Sequence, residues 1–315
     1  MLTSTLIAVA LFVIAIALLQ AVSVQRRFSA RRQQALRVIQ QLFQLLESIP
    51  QHRGMSNALL QGNQAFKDKR QAHQGKIDQQ LQRISRDHPE LAKNPGYLDI
   101  TTCWSEITRN FASLTAEVSF SKHTIVISKL LELISDIGSQ SKLNNSQDKQ
   151  LKGLLEIGIN ILPHVTEALG QARGIGTGAA AQAKLTTQSR SKLSYLHKKA
   201  STTCANTAAI LTSQKIKSSA LAFSQCQKVI GLFLNTLDRE LLSAKVIQIE
   251  SEHYFAIASD AIGLSFKQLY SLIDEVSSAL DKEHAVQCRN QYFCQFFLLL
   301  TIPPMVWLLM QLSNG

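Results

Sequence analysis

An arginine-glycine pair occurs twice in this chain, and the residues around it repeat at one fixed spacing. Sliding the sequence by 120 residues lays Gln171-Ala172-Arg173-Gly174 over Gln51-His52-Arg53-Gly54 and pairs Leu42 with Leu162, Glu47 with Glu167 and Arg70 with Arg190. The chain therefore reads as internally duplicated, and any fold proposed for it has to accommodate two related halves. The residue three before each arginine is a helix breaker, Pro50 in one copy and Gly170 in the other. This predicts a kink just ahead of each Arg-Gly, where a backbone can come close to a ligand.

The two ends constrain the chain differently. Residues 2–25 and 291–315 contain no charged side chain, and each block holds about 20 mostly apolar residues, enough to cross ~30 Å of hydrocarbon. The first block is not preceded by Lys or Arg and is followed at once by arginines, the reverse of a secretory signal. Residues 1–25 and 291–312 are thus expected to be transmembrane helices. Arg26, Arg27, Arg31, Arg32 and Arg37 follow the first, Lys282 and Arg289 precede the second, and neither outer end carries a Lys or Arg. The positive-inside rule then puts the central region in the cytoplasm of a bacterial-type inner membrane. Five cysteines, odd in number and without a Cys-x-x-Cys, suit a reducing compartment. The competing arrangement, a periplasmic domain, is common among sensors with two spans. The net charge of +11 does not point to nucleic acid: its densest cluster abuts a membrane span, where arginines attract anionic lipid, and has little aromatic interleaving to stack bases.

Between the ends the periodicity is helical. Leu36, Ile39, Leu42, Phe43 and Leu46 predict a helix running from the first span toward Pro50. Residues 65–86 read as an exposed amphipathic helix, 89–99 as a loop rich in Pro, Asn and Gly, 101–114 and 120–137 as two helices, and 138–147 as a turn. A long helix from 151, bent near Pro163 and Gly170, ends in the alanine-rich run 179–183. Segments 185–204, 208–237 and 241–280 complete a second helical set, the last running on into the second span with a kink at Pro303-Pro304. No segment alternates like a strand for more than a few residues. The expected fold is all-α, with residues 26–145 and 146–290 as the two halves.

Several motifs have a plain reading beside a functional one. Gly170, Gly174 and Gly178 fall four apart and make one smooth helical stripe, for tight helix packing or for positioning Arg173 across from Arg53. Gly174-x-Gly176-x-x-Ala179 matches a dinucleotide fingerprint by letter but lacks the preceding strand. Guanidinium is planar, always protonated and presents a fork of donors, so Arg53 and Arg173 could grip opposite edges of a planar oxyanion. Alternatively they form structural salt bridges with Glu47, Glu167 or other carboxylates. The eight histidines show no repeated metal-ligand pattern, no cofactor is implied, and no nucleophile-base pair or P-loop is present.

An Arg-Gly helix, a middle segment from Ser119 to Ile134, a second Arg-Gly helix and a late Tyr254-Phe255 occur here in the order of the nitrate- and nitrite-sensing (NIT) domain, which residues of roughly 40–280 resemble. The resemblance implies an all-helical domain of two four-helix bundles holding nitrate or nitrite between arginines, here Arg53 and Arg173, with Gly174 beside them. Arg239 stands roughly where the family shows another arginine, and Arg109 in a broadly comparable place in the first half. His52 departs from the acidic residue the family more often has before Arg-Gly. The implied activity is sensing rather than catalysis, with the signal passed to a partner protein, through a homodimer or through the membrane helices. The rival class is a structural helical-bundle membrane protein that has lost its anion.

Overall fold

The computed structural model describes residues 2–143, 148–213 and 216–313, and no strand occurs among them. In chain order the helices are α1 (Leu2–Leu60), α2 (Lys67–Asp87), α3 (Pro89–Ala92), α4 (Pro95–Arg109), α5 (Ala116–Gln140), α6 (Lys149–Leu155), α7 (Leu162–Ala181), α8 (Thr187–Ser213), α9 (Lys217–Leu237) and α10 (Ser251–Ser313). The all-α expectation holds. Residues 37–276 form one compact unit, and residues 1–36 with 277–315 form another.

Several boundaries differ from the sequence reading. The segment 89–99 is not a loop: Asn94 accepts from the backbone N–H of Gly96 and Tyr97, Pro95 occupies the first turn, and α4 starts there. Asn-Pro-Gly is a turn signal in isolation, but Asn at the cap followed by Pro is also how a helix begins. The expected turn at 138–147 starts later, because α5 runs to Gln140; residues 144–147 lie outside the described residues. The bend expected near Pro163 takes the form of a π-helical stretch, Glu156–Ile161, with Pro163 in the first turn of α7. Pro50 lies inside α1, and Pro303 and Pro304 inside α10.

Within the larger unit, four helices from each half of the sequence pack together. In the first set, Trp104 of α4 donates from its indole nitrogen to Asp78 of α2 (2.7 Å), the Tyr97 hydroxyl donates to the Leu81 carbonyl (2.8 Å), and Arg70 of α2 donates to Ser56 of α1 (3.1 Å). Leu42, Leu46 and Ile49 of α1 and Ile127, Leu130 and Ile134 of α5 are buried. In the second set one apolar core takes Val165, Leu169 and Ala172 from α7, Leu193 and Leu196 from α8, Ile230 and Phe233 from α9, and Tyr254 and Ala258 from α10. Each helix contributes residues three or four apart, as expected for a stripe facing a bundle core.

The smaller unit pairs the start of α1 with the end of α10. Arg26 donates to Gln291 (2.9 Å), Ser29 bonds His284 (2.8 Å), Arg32 grips both oxygens of Glu283 (2.8 and 2.7 Å), and Gln33 donates to Asp281 (2.6 Å). Residue numbers rise along one segment as they fall along the other, so the two run antiparallel. The part of α1 from Val9 onward is long and apolar enough to cross a membrane. Leu11, Val13, Ile14 and Leu18 there, and Phe293, Phe296, Phe297 and Trp307 near the other end, are exposed.

The first bundle buries two histidines against each other. His123 Nδ1 lies 2.7 Å from the Ser119 carbonyl oxygen, which can only accept, so Nδ1 carries the proton and Nε2 is free to accept from His52 Nδ1 at 2.8 Å. His52 Nε2 is then a bare lone pair, buried without a hydrogen-bond partner among the described residues, and the ring meets Trp104 edge-on at 4.8 Å. Burial, reinforced by the neighbouring His123, Arg70 and His73, pushes His52 down to about 2. Burial, aided by Arg53 and Arg70 and opposed by the bond to Ser119, pushes His123 down to about 4. In the unfolded chain both imidazoles titrate near pH 6.5. Below that pH the unfolded state binds more protons than the folded one, and stability falls with pH by up to about 1.4 kcal/mol per pH unit for each histidine. The thermal midpoint is expected to drop between pH 7 and pH 5, and His52→Gln to flatten that slope. An unchanged slope in the variant would refute a neutral buried His52.

Candidate anion site between two arginines

Arg53 leaves α1 with its guanidinium almost wholly buried, at 2% exposure. Its Nη1 and Nη2 donate to Oε1 and Oε2 of Glu167 on α7 at 2.6 and 3.1 Å, and Nη1 also donates to the Thr124 hydroxyl at 2.9 Å. Its Cζ stands 4.7 Å from the centroid of the Phe120 ring. Phe120 and Thr124 are one turn apart on α5, so ring and hydroxyl share a face.

Arg173 on α7 has a matching environment. Its Cζ stands 4.9 Å from the Phe255 centroid and its Nη1 donates to Ser259 at 3.1 Å. Phe255 and Ser259 are again one turn apart, on α10. Each arginine thus lies over a phenylalanine, a contact favoured by the ring quadrupole, and holds the hydroxyl four residues further on. Arg173 differs in having no carboxylate within ion-pair distance among the described residues. Burial, with Arg53 close by and only partly offset by Glu167, lowers its pKa to about 10, so it stays charged at neutral pH.

Both guanidiniums line one cavity of about 590 Å³, together with Phe120, Phe255, Gly170, Gly174, Thr177 and Gly178. At roughly 30 Å³ per water, it has room for a small anion with water around it. A smaller cavity of about 220 Å³ adjoins Arg173, Ser259, Glu47 and Glu167. The glycine stripe serves side chains here rather than a neighbouring backbone. A Cβ at Gly174 would come within 2.7 Å of the Phe120 ring, and one at Gly170 within 3.2 Å of Arg53 Nη2, whereas Gly178 has open space around it. Gly176, outside the stripe, leaves room for Tyr254, whose buried hydroxyl donates to the Ala172 carbonyl at 3.1 Å.

The other sequence candidates lie elsewhere. His52 is adjacent to Arg53 in sequence, yet its ring faces the first-bundle core at His123 and Trp104. Arg109 is exposed at the end of α4, bonded to the Ser105 carbonyl at 3.3 Å, and Arg239 is exposed and paired with Glu240 at 2.7 Å. The expected alternative partnership of an arginine with Glu167 does occur, at Arg53. Glu47 instead accepts from the Tyr270 hydroxyl at 2.8 Å. Thr124, Ser259 and the two phenylalanines were not picked out as site residues from the sequence. Phe120 and Phe255 are 135 apart, so the slide of 120 that aligns the arginines does not align their rings.

A profile of the nitrate and nitrite sensing family matches residues 44–277. The chain belongs to the NIT family. No curated protein matches it. Its fold is similar to that in "Structure of the NasR transcription antiterminator", with a TM-score of 0.63 at 15% identity, covering 91% of this chain and 82% of that one. The matched stretch takes in the two arginines, both phenylalanines and both hydroxyl residues, so the paired arrangement falls wholly within the NIT region.

The glycines of α7 give a direct check on this packing. Gly176→Ala would set a Cβ within 2.3 Å of the Tyr254 hydroxyl and is expected to destabilise the NIT domain by about 1–3 kcal/mol through overpacking. Gly178→Ala meets nothing within 4 Å and is expected to be neutral or stabilising by up to ~1 kcal/mol through helix propensity. Urea denaturation of the two variants decides the point, since equal stabilities would contradict the close approach of Tyr254.

Proposed function

We propose that this protein is a membrane-anchored sensor of nitrate or nitrite, in which Arg53 and Arg173 close on one anion. The observation that carries this reading is the pairing of two arginines from different halves, each set over a phenylalanine and a hydroxyl, on the wall of one cavity. Nitrate is planar, singly charged and has three oxygens, so two guanidinium forks can grip different edges with charge-assisted hydrogen bonds. The aromatic faces desolvate the cations without neutralising them, and Arg173, which pairs with no carboxylate among the described residues, keeps its charge available to a ligand. Gly174 lets Phe120 approach closely enough to complete the wall.

In this proposal residues 26–145 and 146–290 are the two halves, 1–25 and 291–312 are membrane helices, and the sensing region lies in the cytoplasm. α1 carries Arg53 and the apolar segment from Val9, and α10 carries Phe255, Ser259 and the apolar stretch after Gln291. An anion that binds one arrangement of the halves more tightly than another shifts their balance by that difference. Both helices then give the shift a covalent route to the membrane ends and to a signalling partner or a second copy of the chain. The proposed role is non-catalytic. Arg109, Arg239 and His52 have no part in anion contact in this reading.

Calorimetry on the full chain in detergent, with nitrate, nitrite and chloride, tests the central claim. Arg173→Ala and Arg53→Ala are each expected to weaken nitrate binding roughly a hundredfold, the effect of removing a charged partner from a desolvated site. Arg→Lys at either position is also expected to weaken it, because the fork is lost. Unchanged affinity in both alanine variants would exclude a shared site.

Placement has its own test. A thiol reagent that cannot cross the inner membrane is expected to leave Cys103, which is partly exposed in the larger unit, unlabelled in intact cells with a permeabilised outer membrane. Labelling there that matches labelling of the solubilised protein would put the domain on the periplasmic side.

A further inference from the structure

Glu167 is positioned as more than a structural partner. Its two oxygens take both Nη atoms of Arg53, the same fork that one edge of a planar oxyanion would use. Gln171, one turn on, donates to Glu167 Oε1 at 2.8 Å and holds the carboxylate in that pose. Glu167 is 6% exposed, so little water competes for the pair. The same Glu-x-x-x-Gln-x-Arg-Gly spacing occurs in the first copy as Glu47, Gln51, Arg53 and Gly54. There the carboxylate goes to Tyr270 instead, and Arg173 is left with the Ser259 hydroxyl and the Phe255 ring.

The two arginines are therefore unequal. Arg173 faces the cavity as a cation with no carboxylate partner among the described residues, whereas the fork of Arg53 is filled from within the protein. We propose, resting on the anion-sensor reading above, that Glu167 is an intramolecular competitor of the anion: an oxyanion seated at Arg173 recruits Arg53 only as Glu167 releases it. Removing the partner of a buried charge is costly unless another anion takes its place, and one edge of nitrate supplies that replacement. The displaced carboxylate has somewhere to go, because Glu167 also lines the smaller cavity of about 220 Å³. The exchange turns over the one ion pair between α1 and α7 among the described residues, so ligand binding and the contact between the halves become a single event.

The consequence is that weakening the hold of Glu167 strengthens the anion. Glu167→Gln keeps the shape and one acceptor but removes the charge. Since a charged hydrogen-bond partner is roughly twice as strong as a neutral one, nitrate affinity is expected to rise on the order of tenfold. Gln171→Met leaves Glu167 charged but loosens it, and is expected to tighten nitrate a few-fold. Both are measured by calorimetry on the full chain in detergent, beside the wild type. Wild-type binding with unchanged or weaker affinity in both variants would overturn the competitor role and leave the sensor reading standing. No binding of nitrate or nitrite to wild type or either variant would overturn both. If Glu167→Gln loses its helical circular dichroism even at saturating nitrate, Gln171→Met decides the matter alone.

Discussion

The rest of the central unit is arranged around the ion pair of Arg53 and Glu167. Both side chains are almost entirely removed from water. A buried pair of this kind adds little net stability compared with an apolar replacement, yet removing one partner by mutation costs roughly 3–5 kcal/mol. It therefore acts mainly on register. The two halves can meet along α1 and α7 only where the guanidinium fork falls on the carboxylate, and Thr124, Gln171 and the bare backbone at Gly170 all fit that one placement.

Once the register is set, the surroundings of the arginines follow from helical spacing. Phe120 with Thr124, and Phe255 with Ser259, offer a ring and a hydroxyl from one turn of helix. A ring face shields a cation from water but gives it no counter-charge, so Arg173 keeps a full charge in a poorly hydrated place. The lowering of its pKa to about 10 by burial and by Arg53 expresses the same tension.

Much of this was legible in the sequence, for identifiable reasons. Arg-Gly at a fixed spacing found both arginines and their helices, because the repeat is intact where α1 and α7 carry it. Helical periodicity was enough for an all-α fold. The partners on α5 and α10 were harder to see, since unequal connections stretch the spacing from 120 to 135 before Phe255 is reached. The start of α4 was hidden because Asn94-Pro95-Gly96 spells a turn and a helix cap with the same letters. The carboxylate of Glu167 could be offered as a partner of an arginine but not assigned to Arg53, as that contact spans 114 residues and depends on how the halves dock.

The duplication also raises the question of why the site is not symmetric. Glu47 and Glu167 occupy equivalent places, each six residues before its arginine, and by symmetry each would cross to the arginine of the other half. The difference lies in the fourth helix of each bundle. Tyr270 on α10 is long enough to hold Glu47 Oε2 at 2.8 Å, and its burial beside that carboxylate pushes the phenol well above its usual range, keeping it a donor. The residue 135 earlier, on α5, is Ser135, a short side chain whose hydroxyl goes to Asn160 at 3.3 Å. With no tyrosine there to hold it, Glu167 pairs with Arg53, and Arg173 has no carboxylate partner among the described residues. The Tyr270 hydroxyl thus accompanies the asymmetry of a duplicated pair of arginines, Arg53 with a carboxylate partner and Arg173 with none among the described residues.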